Sequence, residues 1–284
     1  MARLASRRRV SSGVIIYGAL TFYAALAIFP LYWLVTSSFK TGLELVSPTP
    51  TLVPLHPSLL NYLQVLSTGL IVDYFVNSIK IAVITTVCLV TIASLAAYSL
   101  TRFQYPGRSI IANSVLAAYM FPGILLAVPL TILYARIGLI NTHFGLILAY
   151  VTFGLPFALW LLIAYFETIP REIDEAARVD GASHFGVYWR IILPLSMPGL
   201  VTAAIFAFLG AWNEFLLALV LIQQNELKTL PVGLALFLQG GPGDTIQWGG
   251  RMAAGVMVII PCLVFFVLVN RYIVRGLAAG AVKG

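Results

Sequence analysis

Charge is what this sequence has least of. Only 10% of its 284 residues are Asp, Glu, Lys or Arg, while 60% are hydrophobic; a soluble domain carries about 25% charged side chains. So little polar surface cannot cover a soluble globule, so the solvent of this chain is largely lipid, and it reads as one domain. Cysteine is nearly absent too. Cys88 and Cys262 lie in separate apolar runs without CxxC or Cys/His spacing, which excludes a disulfide framework and a thiolate metal site. His56, His143 and His184 are far apart in sequence, so no metal-ligating or catalytic histidine cluster is expected. The chain has no nucleophile and base at a joining spacing, no paired carboxylates and no GxxxxGK phosphate loop, so it is not read as an enzyme, and no catalytic residue is assigned. Its net charge of +7 sits beside apolar runs instead of forming a stripe with interleaved aromatics, which argues against nucleic acid as a partner.

What is present is a series of long apolar runs. Spans of about 20 residues are expected at 14–36, 74–98, 109–131, 143–166, 197–222 and 251–272. Arg3, Arg7, Arg8 and Arg9 before the first run also suit a signal peptide, but the run to Val35 exceeds the 7–15 residues of a signal core, so an uncleaved helix is expected. Arg102, Arg108, Arg171, Arg178 and Arg190 fall on the side of the amino-terminal arginines and of Arg271, Arg275 and Lys283, twelve basic residues in all. Lys40, Arg136, Lys228 and Arg251 fall opposite, four in all, and Lys80 sits near a membrane edge. The positive-inside rule then puts both termini in the cytoplasm. The expected layout is a cytoplasmic segment 1–13, a six-helix all-α membrane domain 14–272 with a cytoplasmic loop at about 167–196, and a cytoplasmic tail 273–284.

Pro30, Pro122, Gly123, Pro129, Pro156, Pro198 and Pro261 predict kinked or broken spans, tolerated where neighbouring helices or a wet cavity satisfy the freed carbonyls. Ala93, Ser94, Ala96 and Ala97 permit close helix packing. The outer segment 40–72 reads as a proline-rich loop ending in a short helix. The outer segment 223–249 holds an apolar patch, Leu230–Leu238, then Gly240, Gly241, Pro242 and Gly243; it serves either as a connection or as a docking or gating element.

The loop at 167–196 is the most informative stretch. Pro170 suits a first helical turn, Glu172, Asp174 and Glu175 complement the dipole there, and Gly181 ends the helix. Ser183 can cap a second helix in which Phe185, Tyr188, Trp189 and Ile192 form one apolar face before Pro194 stops it. Glu175 has a bland alternative, an intrahelical pair with Arg171 or Arg178 worth a few tenths of a kcal/mol at most, roughly 0.2–0.5.

Glu175-Ala176-Ala177, three residues, Gly181, nine residues, then Ile191, Leu193 and Pro194 resembles the EAA loop of bacterial ABC importer permeases, with no departure in spacing. The resemblance implies the type I importer permease fold, and a coupling role toward a separate ATPase for those seven residues. Asn77-Ser78, Ala97-Tyr98, Arg102-Phe103, Pro106-Gly107, Trp212-Asn213-Glu214 and the closing Gly280-Ala281-Val282-Lys283-Gly284 are similar to the carbohydrate subfamily with maltose-type systems. That similarity implies import of a sugar or related solute across a bacterial inner membrane. The implied partners are a second homologous permease, an ATP-binding subunit dimer and an extracytoplasmic solute-binding protein. No cofactor or metal is assigned to this chain; ATP and Mg would belong to the ATPase.

Glu214 is the clearest carboxylate within a span, and such a charge costs about 2.5 kcal/mol or more unless paired or wet. Asn213 and Glu214 are expected either to line the solute path or to hydrogen-bond a neighbouring helix, the second being the stronger reading. Trp160, Trp212 and Tyr150 could stack on a sugar ring, although interfacial placement is the commoner use of such residues. A secondary transporter would need more buried ionisable groups than Glu214, and a channel a filter motif; both remain the alternatives on composition alone.

Overall fold

The computed structural model describes residues 2–67, 69–239 and 248–281, with side chains from 16 to 67, 69 to 236 and 248 to 267. Arg3, Arg7, Arg8, Arg9, Arg271, Arg275, Lys283, the Gly240–Gly243 run and the closing Val282, Lys283 and Gly284 lie outside the described residues or side chains. Among the described residues every regular element is helical. In chain order these are α1 (Ala2–Ser38), α2 (Gly42–Leu45), α3 (Leu60–Ser67), α4 (Leu70–Arg102), α5 (Arg108–Tyr119), α6 (Gly123–Arg136), α7 (His143–Phe166), α8 (Arg171–Val179) and α9 (His184–Val187). A π turn (Tyr188–Ile192), α10 (Leu193–Leu195), α11 (Met197–Asn213), α12 (Leu216–Leu221), a 3-10 turn (Asn225–Leu227), α13 (Leu230–Gln239) and α14 (Trp248–Ala281) follow.

Among the described residues four helices are long and apolar enough to cross a membrane: Ile16–Ser38, Leu70–Arg102, His143–Phe166 and Trp248–Val267. Two bent pairs bring the number to six if each is one span, α5 with α6 at 98° and His184–Leu195 with α11 at 77°. The third expected span is therefore two helices. Pro122 disfavours helical backbone at Phe121 before it and then caps α6 at its amino end. The fifth expected span, 197–222, also divides: α11 stops at Asn213, Glu214 is extended (φ −66, ψ 128), and α12 restarts at Leu216. Pro30, Pro129, Pro156 and Pro261 lie inside unbroken helices, whereas Pro198 sits in the first turn of α11, where a missing N–H costs nothing.

The chain falls into two compact units. One comprises residues 1–69 and 237–259. In it the 40–59 loop folds back on the end of α1. Lys40 is buried, its ammonium donating to Thr51 O and standing 4.3 Å from the Trp33 ring centroid. The Glu44 carboxylate accepts from Thr51 Oγ1 at 2.6 Å and Leu55 N at 3.0 Å, and the Asn61 amide donates to Ser38 O and Lys40 O. Its short final helix is α3, as expected from the sequence.

The second unit comprises residues 70–236 and 260–284. Its core is built where α4, α7 and α11 pack together, with Leu89, Ala93, Ala97, Ala158, Leu162, Phe166 and Ala203 buried. Small side chains let these helices approach, the use read for Ala93, Ser94 and Ala97. At one end of the unit Asn77 donates to Glu226 O at 2.8 Å and Lys228 O at 3.1 Å, and Ser78 Oγ accepts from Leu230 N at 2.7 Å. Asn141, in the left-handed region at φ 56, accepts from Gln223 N and Gln224 N, and His143 Nε2 lies 3.0 Å from Leu227 O. The 222–230 segment is therefore fastened to the starts of α4 and α7. Leu230 and Val232 are buried, so the first part of the apolar patch expected on an exposed loop is core.

Candidate functional site

At the other end of the second unit lies the segment from Pro170 to Ser196. Pro170 is the N-cap of α8, and Glu172 and Asp174 fall in its first turn, where acidic side chains oppose the helix dipole. The helix closes in a Schellman motif: Ala182 N donates to Ala177 O and Gly181 N to Arg178 O, both at 3.0 Å, with Gly181 at φ +86. Glycine is needed there because a Cβ makes the left-handed conformation costly. Ser183 Oγ then accepts from Gly186 N at 3.1 Å and caps α9, as its position predicts.

The second helix departs from expectation. Phe185, Tyr188, Trp189 and Ile192 do not form one face: Tyr188 and Ile192 are buried with Val187, while Phe185 and Trp189 are 67% and 59% exposed and stack at 6.3 Å between centroids. The cause is the π turn at Tyr188–Ile192, whose wider winding shifts the phase of the stripe. Nor does Pro194 stop the helix. It lies in α10, and the break comes at Ser196.

Of the seven residues singled out, Glu175, Ala176, Gly181 and Pro194 are exposed, Ile191 and Leu193 are half-buried, and Ala177 is buried. Ala177 joins the core shared by α4, α7 and α11, and Ile191 and Leu193 pack against it. Glu175 forms no ion pair with Arg171 or Arg178 among the described residues; Arg171 Nη2 instead donates to Thr101 O at 2.8 Å. The outward surface thus combines the Glu175 carboxylate with apolar Val179, Phe185 and Trp189 on a segment rooted in the helix core.

Sequence reasoning missed how that root is made. Arg102, read as a topology charge and as part of a subfamily-like dipeptide, ends α4 with its Nε 2.6 Å from Asp174 Oδ2, the two side chains 7% and 13% exposed. They touch as charges without hydrogen-bond alignment, and Arg102 Nη2 donates to Ile169 O at 3.0 Å. Burial raises the Asp174 pKa, against the pull of Arg102 and Arg171, with Glu175 adding to the rise. Removing Arg102 alone would strand that carboxylate, a loss of about 3–5 kcal/mol for a buried pair. Deeper along α4, Tyr98 OH donates to His184 O at 3.1 Å, Ser94 Oγ lies 2.7 Å from Tyr188 OH, and Tyr98, Phe103, His184 and Tyr188 pack ring on ring.

Toward the middle of the unit, α4, α5, α7 and α11 enclose a cavity of about 470 Å³. Its walls are mostly aromatic and small, with Tyr119, Phe153, Phe157 and Phe206, and among the described residues Glu214 is the one charged side chain lining it. Glu214 also holds the start of α12: Oε1 accepts from Leu217 N at 2.8 Å and Oε2 from Ala218 N at 3.0 Å. The carboxylate thus caps the helix that follows it in the chain and also faces the cavity. Asn213 is separate from it, exposed and donating to Leu209 O at 2.8 Å. Trp212 is 1% exposed and stacked on Phe208, which removes it as a ring-stacking surface; Tyr150 is buried in the cavity wall beside Glu214, and Trp160 is exposed against Phe157.

Comparisons with known proteins agree with this architecture. The family described as binding-protein-dependent transport system inner membrane component matches over residues 89–279. The trehalose/maltose transport system permease protein MalG of Thermococcus litoralis is 42% identical over 274 residues, 95% of this chain and 96% of that one. The inner membrane ABC transporter permease protein YcjP of Escherichia coli is 38% identical over 284 residues, 99% and 100% of the two chains. The trehalose transport system permease protein SugB of Mycobacterium tuberculosis is 40% identical over 270 residues, 93% and 95% of the two. Among solved structures, a chain of a bacterial ABC transporter involved in alginate import superposes with a TM-score of 0.85, covering 94% of this chain and 98% of that one at 23% identity, a likeness of fold. The chain therefore belongs to the binding-protein-dependent transport system inner membrane component family, as an ABC-transporter permease subunit.

Proposed function

We propose that this permease imports a sugar, in partnership with a second homologous permease, a dimer of ATP-binding subunits that carry ATP and Mg, and an extracytoplasmic solute-binding protein. The sugar class rests on relatives whose names specify trehalose and maltose. In this reading the α8 end of the second unit faces the cytoplasm of a bacterial cell, both termini on the same side, following the basic-residue asymmetry of the sequence. Glu175, Ala176, Ala177, Gly181, Ile191, Leu193 and Pro194 form the ATPase-coupling segment. The observation that carries this is a surface with two properties at once: Glu175, Val179, Phe185 and Trp189 point outward unpartnered by the helices, and Ala177, Tyr188 and Ile192 anchor the same segment in the core. An exposed apolar patch with a charge on it suits a protein partner, and its rigid root suits transmission of force.

Purification of the tagged chain from its native membrane, with mass spectrometry of its partners, tests the assignment. An ATPase and a second permease are expected to copurify. Glu175→Lys is expected to lower the recovered ATPase about tenfold, equivalent to roughly 1.4 kcal/mol. Recovery of the chain without an ATPase would overturn the coupling role.

Glu214 is proposed to accept hydrogen bonds from sugar hydroxyls at the cavity while holding α12; Asn213 would join the path only in another conformation of the transporter. Glu214→Lys removes the helix cap and turns the acceptor into a donor cation, so uptake is expected to fall about tenfold or more, whereas Glu214→Gln keeps one acceptor oxygen and loses about threefold. Equal uptake by both variants in transport assays would remove Glu214 from the path.

A further inference from the structure

We propose that α4 is a strut between the coupling segment and the 222–230 segment, and that Arg102 with Asp174 at one end and Asn77 with Ser78 at the other are positioning residues pinning its two ends. This rests on the coupling role proposed for the α8 segment. α4 is not adjacent in the chain to either segment. α8 follows α7, and the 222–230 segment follows α12, yet polar side chains of α4 reach both; Asn141 and His143 at the start of α7 also hold the second of them.

At the α8 end the two arginines cross: Arg102 of α4 reaches Asp174 and Ile169 O, and Arg171 of α8 reaches Thr101 O. Ser94 and Tyr98 add two rungs, to Tyr188 and to His184 O, so the contact runs along more than two turns of α4 and resists tilting as well as sliding. At the opposite end the Asn77 amide gives both its protons to carbonyls of the 226–228 backbone, and Ser78 takes the Leu230 N–H, pairings 149–152 residues apart in the chain. The 33-residue α4 is unbroken and without proline, and the stretch from Asn77 to Arg102 between the pins is about 38 Å long at 1.5 Å per residue. No proline or break interrupts α4, so it offers no hinge to absorb a displacement between its ends. Motion imposed on the α8 segment is therefore delivered to the 222–230 segment by α4.

The test uses the assembled transporter in liposomes, with Cys88 and Cys262 replaced by alanine and a spin label at Gln224→Cys, an exposed site on the far segment. Magnesium ATP trapped with vanadate is expected to change the mobility of the label. Asp174→Asn and Asn77→Ala should each reduce that change about threefold or more, normalised to assembled complex with ATPase bound. The double variant should lose no more than the stronger single, because both interrupt one element. Reversing the pair, Arg102→Glu with Asp174→Arg, should restore part of the response, which a general loss of stability would not. An undiminished response in either single variant, additive losses, or no response in the unaltered chain would overturn the strut. If Asp174→Asn fails to assemble, Asn77→Ala decides alone, being remote from the coupling segment. Absence of ATPase from the unaltered complex would instead overturn the coupling reading itself.

Discussion

Gly181→Val is expected to cut uptake about tenfold or more while the protein remains folded in the membrane. Gly181 holds φ +86 at the turn that closes α8, with open space around its Cα, so a side chain there meets no clash and the whole cost is conformational. An L-residue in that region is strained by about 1–2 kcal/mol, and a β-branched one lies at the upper end. The strain is relieved by unwinding the Schellman turn, which releases Ala182 N from Ala177 O and changes the angle between α8 and α9. The exposed Glu175 and Phe185 are then displaced relative to each other. Gly181→Asn separates this cause from a direct contact, because asparagine tolerates the left-handed region. Transport assays on the two variants, corrected for membrane content, should show near-normal uptake for asparagine; equal loss in both would mean that a partner needs the bare Cα.

Gly199→Val is expected to have the larger effect on stability. Gly199 is buried in the first turn of α11, and a Cβ there would lie 2.5–2.9 Å from three ring atoms of Tyr165 on α7. Those atoms are near the base of the ring, so the side chain cannot simply swing its end away. For alanine, a gain of about 1 kcal/mol in helix propensity is set against an overpacking cost of about 1–3 kcal/mol, leaving a net loss near 1 kcal/mol. Valine adds bulk and forfeits most of the propensity gain, for a total of about 3 kcal/mol. Thermal unfolding in detergent should fall by roughly 2–4 °C per kcal/mol. Tyr165→Leu should rescue both variants, and a double-mutant cycle with no coupling would show that the clash is not the cause.

The 170–196 segment was legible because its chemistry is local. Pro170, the acidic first turn, Gly181 and Ser183 act within four residues of themselves, and each performs the role its position predicts. The phase of the Phe185–Ile192 stripe was not legible, since a π turn depends on what Tyr188 meets, and it meets Ser94 on α4. Glu214 was recognised as costly in a span, but its way of being paid for lies in the break it caps, which a span drawn through 197–222 conceals. Trp212 was legible as an aromatic near the path; its burial against Phe208 and Phe75 depended on packing.

By itself the sequence determined that this is a polytopic membrane chain of importer-permease type, with a helix-turn-helix loop between two late spans. Those properties are sums and short spacings: scarcity of charge, runs long enough for a bilayer, and turn residues acting on their neighbours. Only the tertiary structure decided where the helices bend, by 98° between α5 and α6 and by 77° between α10 and α11, which side of the 170–196 segment faces out, and which helix it is fastened to. Arg102 and Asp174, or Asn77 and the Lys228 carbonyl, find each other because helix packing removes water from around them. A polar group without water then has to bond whatever the fold brings within reach, and periodicity along one segment carries no record of that partner.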